Sequence, residues 1–276
     1  MNSAADSTES SASSVNGSIP VRLPSVFKEK IWGALDLAPW YADPGKKIGE
    51  VWFEADLPLL VKFVFTSERL SVQVHPDDAF AATHEKSLGK TEMWYVLRAD
   101  AGAQLALGFR QTITPERLRE SALSGEIENL LNWIDVKQGD AFFVPAGTVH
   151  AIGAGLALCE VQQFSDITYR LYDYGRPREL HLEKAMQVTS LEASDPKPGS
   201  LPIDCKYFHT ELARITTPID YPPAPDRFHL LIFASGSGKI AGQQFSEGEA
   251  WLVPAGTPMF SIDPAEPTKF LRTWVP

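Results

Sequence analysis

Apolar residues along this chain fall mostly in short runs and alternations of β type, separated by Gly, Pro and charged turns, with a few stretches of helical spacing. Phe27 to Gly33 and Glu50 to Leu57 read as extended segments around a Pro/Gly turn. Leu59 to Thr66 (LLVKFVFT) and Leu70 to His75 follow as strands across the polar turn Ser67-Glu68-Arg69. Pro76-Asp77-Asp78 opens a helix to about Lys86, since Pro suits the first helical position and acids the first turn. Glu92 to Leu97 resumes the strand pattern. Thr114-Pro115-Glu116 starts a helical region that Gly125 divides in two before Leu131. The β pattern returns from Asp135 to about Ser165, and Glu179 to Thr189 predicts the last helix.

Sliding the chain against itself by 109 residues aligns Gly139–His150 (GDAFFVPAGTVH) with Gly248–Met259 (GEAWLVPAGTPM). Pro fixes φ and Gly permits a tight turn, so the strand after Pro145-Ala146-Gly147 carries His150 back toward an interior. Gly139, Pro145, Gly147 and His150 have the G-x5-P-x-G-x2-H spacing of the second cupin motif; the Asn common four residues after the His is Ala154 here. The expected fold is therefore mainly β: two cupin-type barrels (a bicupin of double-stranded β-helices) with a few short helices. Residues 1–17 are expected to be a disordered tail. Residues 18–190 are expected to form a metal-binding catalytic domain with a helical insertion at about 114–131, and 191–276 a degenerate barrel without metal. Met259 occupies the place of His150 in that second copy, which is expected to contribute packing or a pocket wall, with Met259 a stabilising residue if it lies in the core.

Composition narrows the function. The formal net charge of −10 and the lack of a basic stretch argue against nucleic-acid binding. No apolar run approaches a membrane span, and residues 1–17 have neither a basic start nor an apolar core of signal type. Two cysteines, Cys159 and Cys205, are too few for a disulfide framework, so reduced thiols and a cytoplasmic location are expected. A monomer or small homo-oligomer is the expected state.

Four side chains in the β-rich region offer metal-binding atoms without sulfur: Gln73, His75, Glu92 and His150. Strand side chains alternate, so residues 73 and 75 project to one side and can converge on one ion. Two imidazoles, a carboxylate and an amide oxygen would leave a metal electrophilic, which suits catalysis better than a closed cysteine site. Glu160, placed by a strand reading within reach of the same interior, is the favoured general base, because the metal would engage the lone pairs of Glu92. His84, His181, His209 and His229 are assigned no chemistry.

Ordered motifs from Leu23 to about Gln187 resemble type I mannose-6-phosphate isomerases of the short bacterial form. They are Val26–Gly33 (VFKEKIWG), Leu59–Lys62, Leu70–Asp78 (LSVQVHPDD), Gly89–Tyr95 (GKTEMWY) and Glu160–Arg170 (EVQQFSDITYR). The resemblance implies one Zn²⁺ per chain, held by Gln73, His75, Glu92 and His150. It also implies a sugar-phosphate pocket using Ser71 and Lys90, with Arg170 at the reacting end, and interconversion of mannose 6-phosphate and fructose 6-phosphate through an enediol. The large helical insertion of longer family members is absent. Another metal cupin, such as an iron oxygenase, and a non-catalytic sugar-binding cupin are the competing readings; Gln73 as fourth ligand and the Lys90/Ser71 pair favour the isomerase.

Overall fold

The computed structural model describes residues 19–276, so the expected tail at 1–17 lies outside the described residues. Four sheets stack in layers. A five-stranded sheet runs Tyr169–Tyr172, Val72–Val74, His150–Ile152, Gln104–Phe109, Leu131–Asp135. A six-stranded sheet of Ser25–Ala34, Ile48–Phe53, Leu59–Thr66, Leu156–Gln163, Glu92–Ala99 and Ala141–Val144 packs against it. The C-terminal half supplies a second six-stranded sheet and a four-stranded one, giving the mainly β bicupin architecture.

Strand parity explains how the layers bind. All eight residues of Leu59–Thr66 are buried, because the strand has apolar neighbours on both sides. Phe63 and Phe65 join a core shared with Leu230, Ile232, Leu252 and Leu271 of the C-terminal half. Val64 turns the other way, into the core that also holds Trp94, Leu105 and Ile152. Lys62 has the parity of Val64 and so points into the interior of the first barrel.

Helix starts follow the sequence. The Asp77 side chain accepts the Phe80 N–H and caps Asp78–His84, and Thr114 caps Pro115–Ser124, which ends at Gly125 with φ 85°. Ile127–Leu130 and Leu182–Val188 complete the set, the latter shorter than the expected 179–189. These helices cover the outer face of the five-stranded sheet.

The repeat is structural. Gly147 and Gly256 both adopt positive φ, 85° and 71°, and the Thr148 and Thr257 N–H groups donate to the carbonyls of Pro145 and Pro254 at 3.1 and 3.3 Å. Met259 is 67% exposed, however, and precedes its strand rather than filling a core. The charge-free turn repeats because backbone dihedrals dictate it, and those dihedrals place no demand on the side chain three residues past the glycine. At the N-terminus, Val21–Arg22 pairs with Leu252 and Trp251, and the Leu23 N–H donates to the Ala250 carbonyl at 2.8 Å. Residues 21–23 thus lie in the C-terminal sheet, across the expected boundary at 190.

Candidate active site

Three adjacent strands bring the centre together. Gln73 pairs directly with His150 on one side and Arg170 on the other, and Gln162 pairs with Glu92 in the facing sheet. His75 and His150 are each 1% exposed, as is Glu92. Each imidazole is oriented by a backbone carbonyl: His75 Nδ1 lies 2.8 Å from the Ile167 oxygen and His150 Nδ1 2.9 Å from that of Thr148. Carbonyls only accept, so both Nδ1 atoms carry the proton and both Nε2 atoms present a lone pair toward the centre. Those Nε2 atoms face the two oxygens of Glu92, at 3.7 Å for His75 and 3.6 Å for His150.

Burial, with Lys90 nearby, holds His75 well below the usual histidine range, and burial brings His150 down to about 4. Both rings are therefore neutral near pH 7, the form in which imidazole ligates. Candidate donor atoms of His75, Glu92 and His150 lie within 4.8 Å of one another. Glu92 Oε2 is buried and accepts no hydrogen bond of good geometry. A buried carboxylate whose two oxygens each face an imidazole Nε2 fits a bound cation. Gln73 reaches the group as well, but with Nε2 toward His150 Nε2 (3.3 Å) and Oε1 accepting from Ser71 Oγ (3.1 Å).

Lys90, which the resemblance implies as a phosphate contact, lies beside the candidate ligands. Its ammonium sits 2.7 Å from Glu92 Oε2, 3.0 Å from His75 Nε2 and 3.6 Å from Glu160 Oε1, and the residue is 4% exposed. Two buried carboxylates attract it to the candidate ligand group, at the wall of a cavity. Desolvation opposes its charge, but Glu160 and Glu92 outweigh it and keep Lys90 protonated. Burial and the neighbouring Glu160 charge raise Glu92, whereas Lys62 and Lys90 overcome burial at Glu160 and hold that carboxyl below the usual range.

Glu160 is gripped on both oxygens, by Lys62 Nζ at 3.1 Å on Oε1 and by the Trp94 indole N–H at 3.1 Å on Oε2. Arg170 donates to the Glu179 carbonyl at 2.6 Å and leaves its buried Nε unpartnered. Gln73, Glu92, Lys90, Glu160, Lys62, Trp94 and Arg170 line one cavity of about 270 Å³, together with Ser71, Asp166, Thr168 and Arg178. Asp173 holds Arg178 through Nε (2.6 Å) and Nη2 (2.7 Å). Lys62, Trp94 and Arg178 were not singled out from sequence. A lysine inside an otherwise apolar strand was a usable signal for Lys62, since such a charge is buried only when paired.

The second barrel lacks this chemistry at the matching positions. Glu92 pairs with Val144 and His229 with Val253, the repeat partner of Val144, so His229 stands in place of Glu92. Lys62 pairs with Glu160, whereas Glu211 pairs with Arg272, so the ion pair is retained with its charges exchanged.

A fold of two stacked cupin units with one buried His–Glu–His group defines a bicupin with a single candidate metal centre among its described residues. The chain is 33% identical to mannose-6-phosphate isomerase ManA of Bacillus subtilis over 88% of this chain and 96% of that one. It is 43% identical to mannose-6-phosphate isomerase of Streptococcus mutans over 60% of its own length, spanning about half (54%) of that relative. No family model matches. The structure superimposes on that of B. subtilis mannose 6-phosphate isomerase with a TM-score of 0.82, 29% identity and coverage of 92% of this chain and 99% of the other. The chain belongs to the mannose-6-phosphate isomerase family, a family of aldose–ketose isomerases. No described helix is long and apolar enough to cross a membrane.

Proposed function

We propose that this chain interconverts mannose 6-phosphate and fructose 6-phosphate by moving a proton between C1 and C2 in the cavity beside His75, Glu92 and His150. The carrying observation is the convergence of two neutral imidazole Nε2 atoms on both oxygens of Glu92, in a chain related over nearly its whole length to named isomerases. His75, Glu92 and His150 would hold Zn²⁺, with Gln73 as fourth ligand after its amide turns to present Oε1; the ion would polarise the sugar oxygens as a Lewis acid.

Glu160 is ionised in its grip of Lys62 and Trp94 and serves as the base that takes the sugar proton. Arg170, the neighbour of Gln73 across the sheet, meets the negative charge that develops on the enediolate oxygens. Lys90 compensates Glu92 and Glu160 at this reacting end, and Ser71 steadies Gln73. The phosphate then falls to Arg178, which Asp173 holds at the cavity wall. The second barrel contributes packing through Leu230, Ile232, Leu252 and Leu271 and no metal ligands, since His229 and Met259 stand where Glu92 and His150 stand in the first. A coupled assay with mannose 6-phosphate, run before and after chelation and with divalent metals restored one at a time, tests this reading. Oxygen consumption in place of isomerisation would replace it with an oxygenase.

A further inference from the structure

Trp94 is fully buried and shares the inward-facing parity of Glu92, two residues earlier on the same strand. It makes two contacts to groups of the proposed reaction. Its indole N–H donates to Glu160 Oε2 at 3.1 Å, and its ring meets the His150 imidazole edge-to-face, with centroids 5.4 Å apart at 71°. A buried indole N–H requires an acceptor, and here the acceptor is the one carboxylate also held by Lys62 on its other oxygen. Without the indole, Glu160 would be held only through Oε1, by Lys62 at 3.1 Å and Lys90 at 3.6 Å, and contacts to one oxygen leave the broad terminal torsion of the carboxylate room to rotate. The second contact, on the opposite oxygen, removes that rotation and fixes the plane in which Glu160 presents its lone pairs.

We propose that Trp94 is a positioning residue for the isomerisation: its indole N–H sets the plane of the Glu160 carboxylate while its ring buttresses His150. This rests on the reading of Glu160 as the base. Trp94 lines the cavity but acts on the proton transfer through Glu160, so its loss is felt in turnover more than in substrate capture.

The test compares Trp94→Phe, and the isosteric replacement of the indole by benzothiophene at position 94, with Glu160→Gln. Both changes at 94 remove the donor, and the second keeps the bicyclic shape, so a misfolded Phe variant leaves the question answerable. The expected result is a fall in kcat of about 10- to 100-fold for each, with KM within about twofold and the thermal midpoint of the benzothiophene protein unchanged. Wild-type kcat in the benzothiophene protein, with Glu160→Gln inactive, overturns the positioning role alone. Wild-type turnover in Glu160→Gln overturns the assignment of the base and the positioning role with it.

Discussion

The Tyr207 hydroxyl donates a 2.6 Å hydrogen bond to Asp78 Oδ2, tying a residue of the C-terminal half to the helix that follows His75. Asp78 Oδ1 also accepts from the Gly89 N–H at 2.9 Å and from Gln163 Nε2 at 2.8 Å. One carboxylate therefore joins the C-terminal half, the strand of Glu160 and the loop that delivers Lys90 and Glu92. Tyr207→Phe is expected to lower unfolding free energy by about 1.5–3 kcal/mol in urea titration, the worth of a hydrogen bond to a charged acceptor. Unchanged stability would show that the contact contributes nothing.

Chelation is expected to abolish isomerisation and Zn²⁺ to restore it, with one tightly bound ion per chain by elemental analysis. His150→Ala should weaken metal binding more than Gln73→Ala, because imidazole is the stronger ligand and the Gln73 amide has to turn first. Full activity in rigorously metal-free protein contradicts the proposed centre.

Lys90→Met removes the cation shared by Glu92 and Glu160 while preserving side-chain length. In metal-free protein this should cost up to about 3–5 kcal/mol, the penalty for breaking a buried pair. The loss should shrink when metal is supplied, since the ion restores positive charge among the same atoms. Equal destabilisation with and without metal would place Lys90 outside the ligand group.

Arg178→Ala should raise KM for mannose 6-phosphate with little change in kcat. Removing a charge-assisted contact worth about 1.5–3 kcal/mol corresponds to roughly 10- to 100-fold in binding. Unphosphorylated mannose should be a poor substrate for the wild-type protein and no poorer for the variant. An unchanged KM moves the phosphate elsewhere in the cavity.

His229 supplies a pH dependence remote from the proposed metal. Burial first, then the charges of Arg272 and Arg227, lower it to about 4, against Glu211 and Asp226, and its Nδ1 shares a 2.6 Å hydrogen bond with the Tyr221 hydroxyl. The unfolded chain binds this proton near pH 6.5, so between about 6.5 and 4 it carries more protons than the folded one, and stability falls as pH falls. The contribution is present above pH 6.5 and lost toward pH 4, at most about 3 kcal/mol. His229→Gln should flatten the stability–pH curve across that window; an unaltered slope would assign the acid loss to other groups.

The candidate ligands were legible because strand parity and a turn motif act locally: His75 follows Gln73 by two residues, and Gly147 fixes the turn before His150. What escaped the sequence depends on distant partners. Trp94 and Lys62 acquire meaning only from Glu160, 66 and 98 residues away. Lys90 shares a side with Glu92 as its parity required, but parity does not say that the ammonium folds back onto the carboxylate. Met259 fills the His150 position in the repeat, yet the repeat carries no information on exposure. Two residues, Val21–Arg22, are too short to show a periodicity that would reveal their sheet.

That short strand has a consequence for the nascent chain. Synthesis runs from the N-terminus, so Val21–Arg22 leaves the ribosome long before Trp251 and Leu252, the residues it pairs with. Phe63 and Phe65 likewise wait for Leu230, Ile232 and Leu271 to cover them. The barrel that holds the candidate metal group therefore emerges with one apolar face uncovered, and that face stays open to self-association until the C-terminal segment has been made and packs onto it.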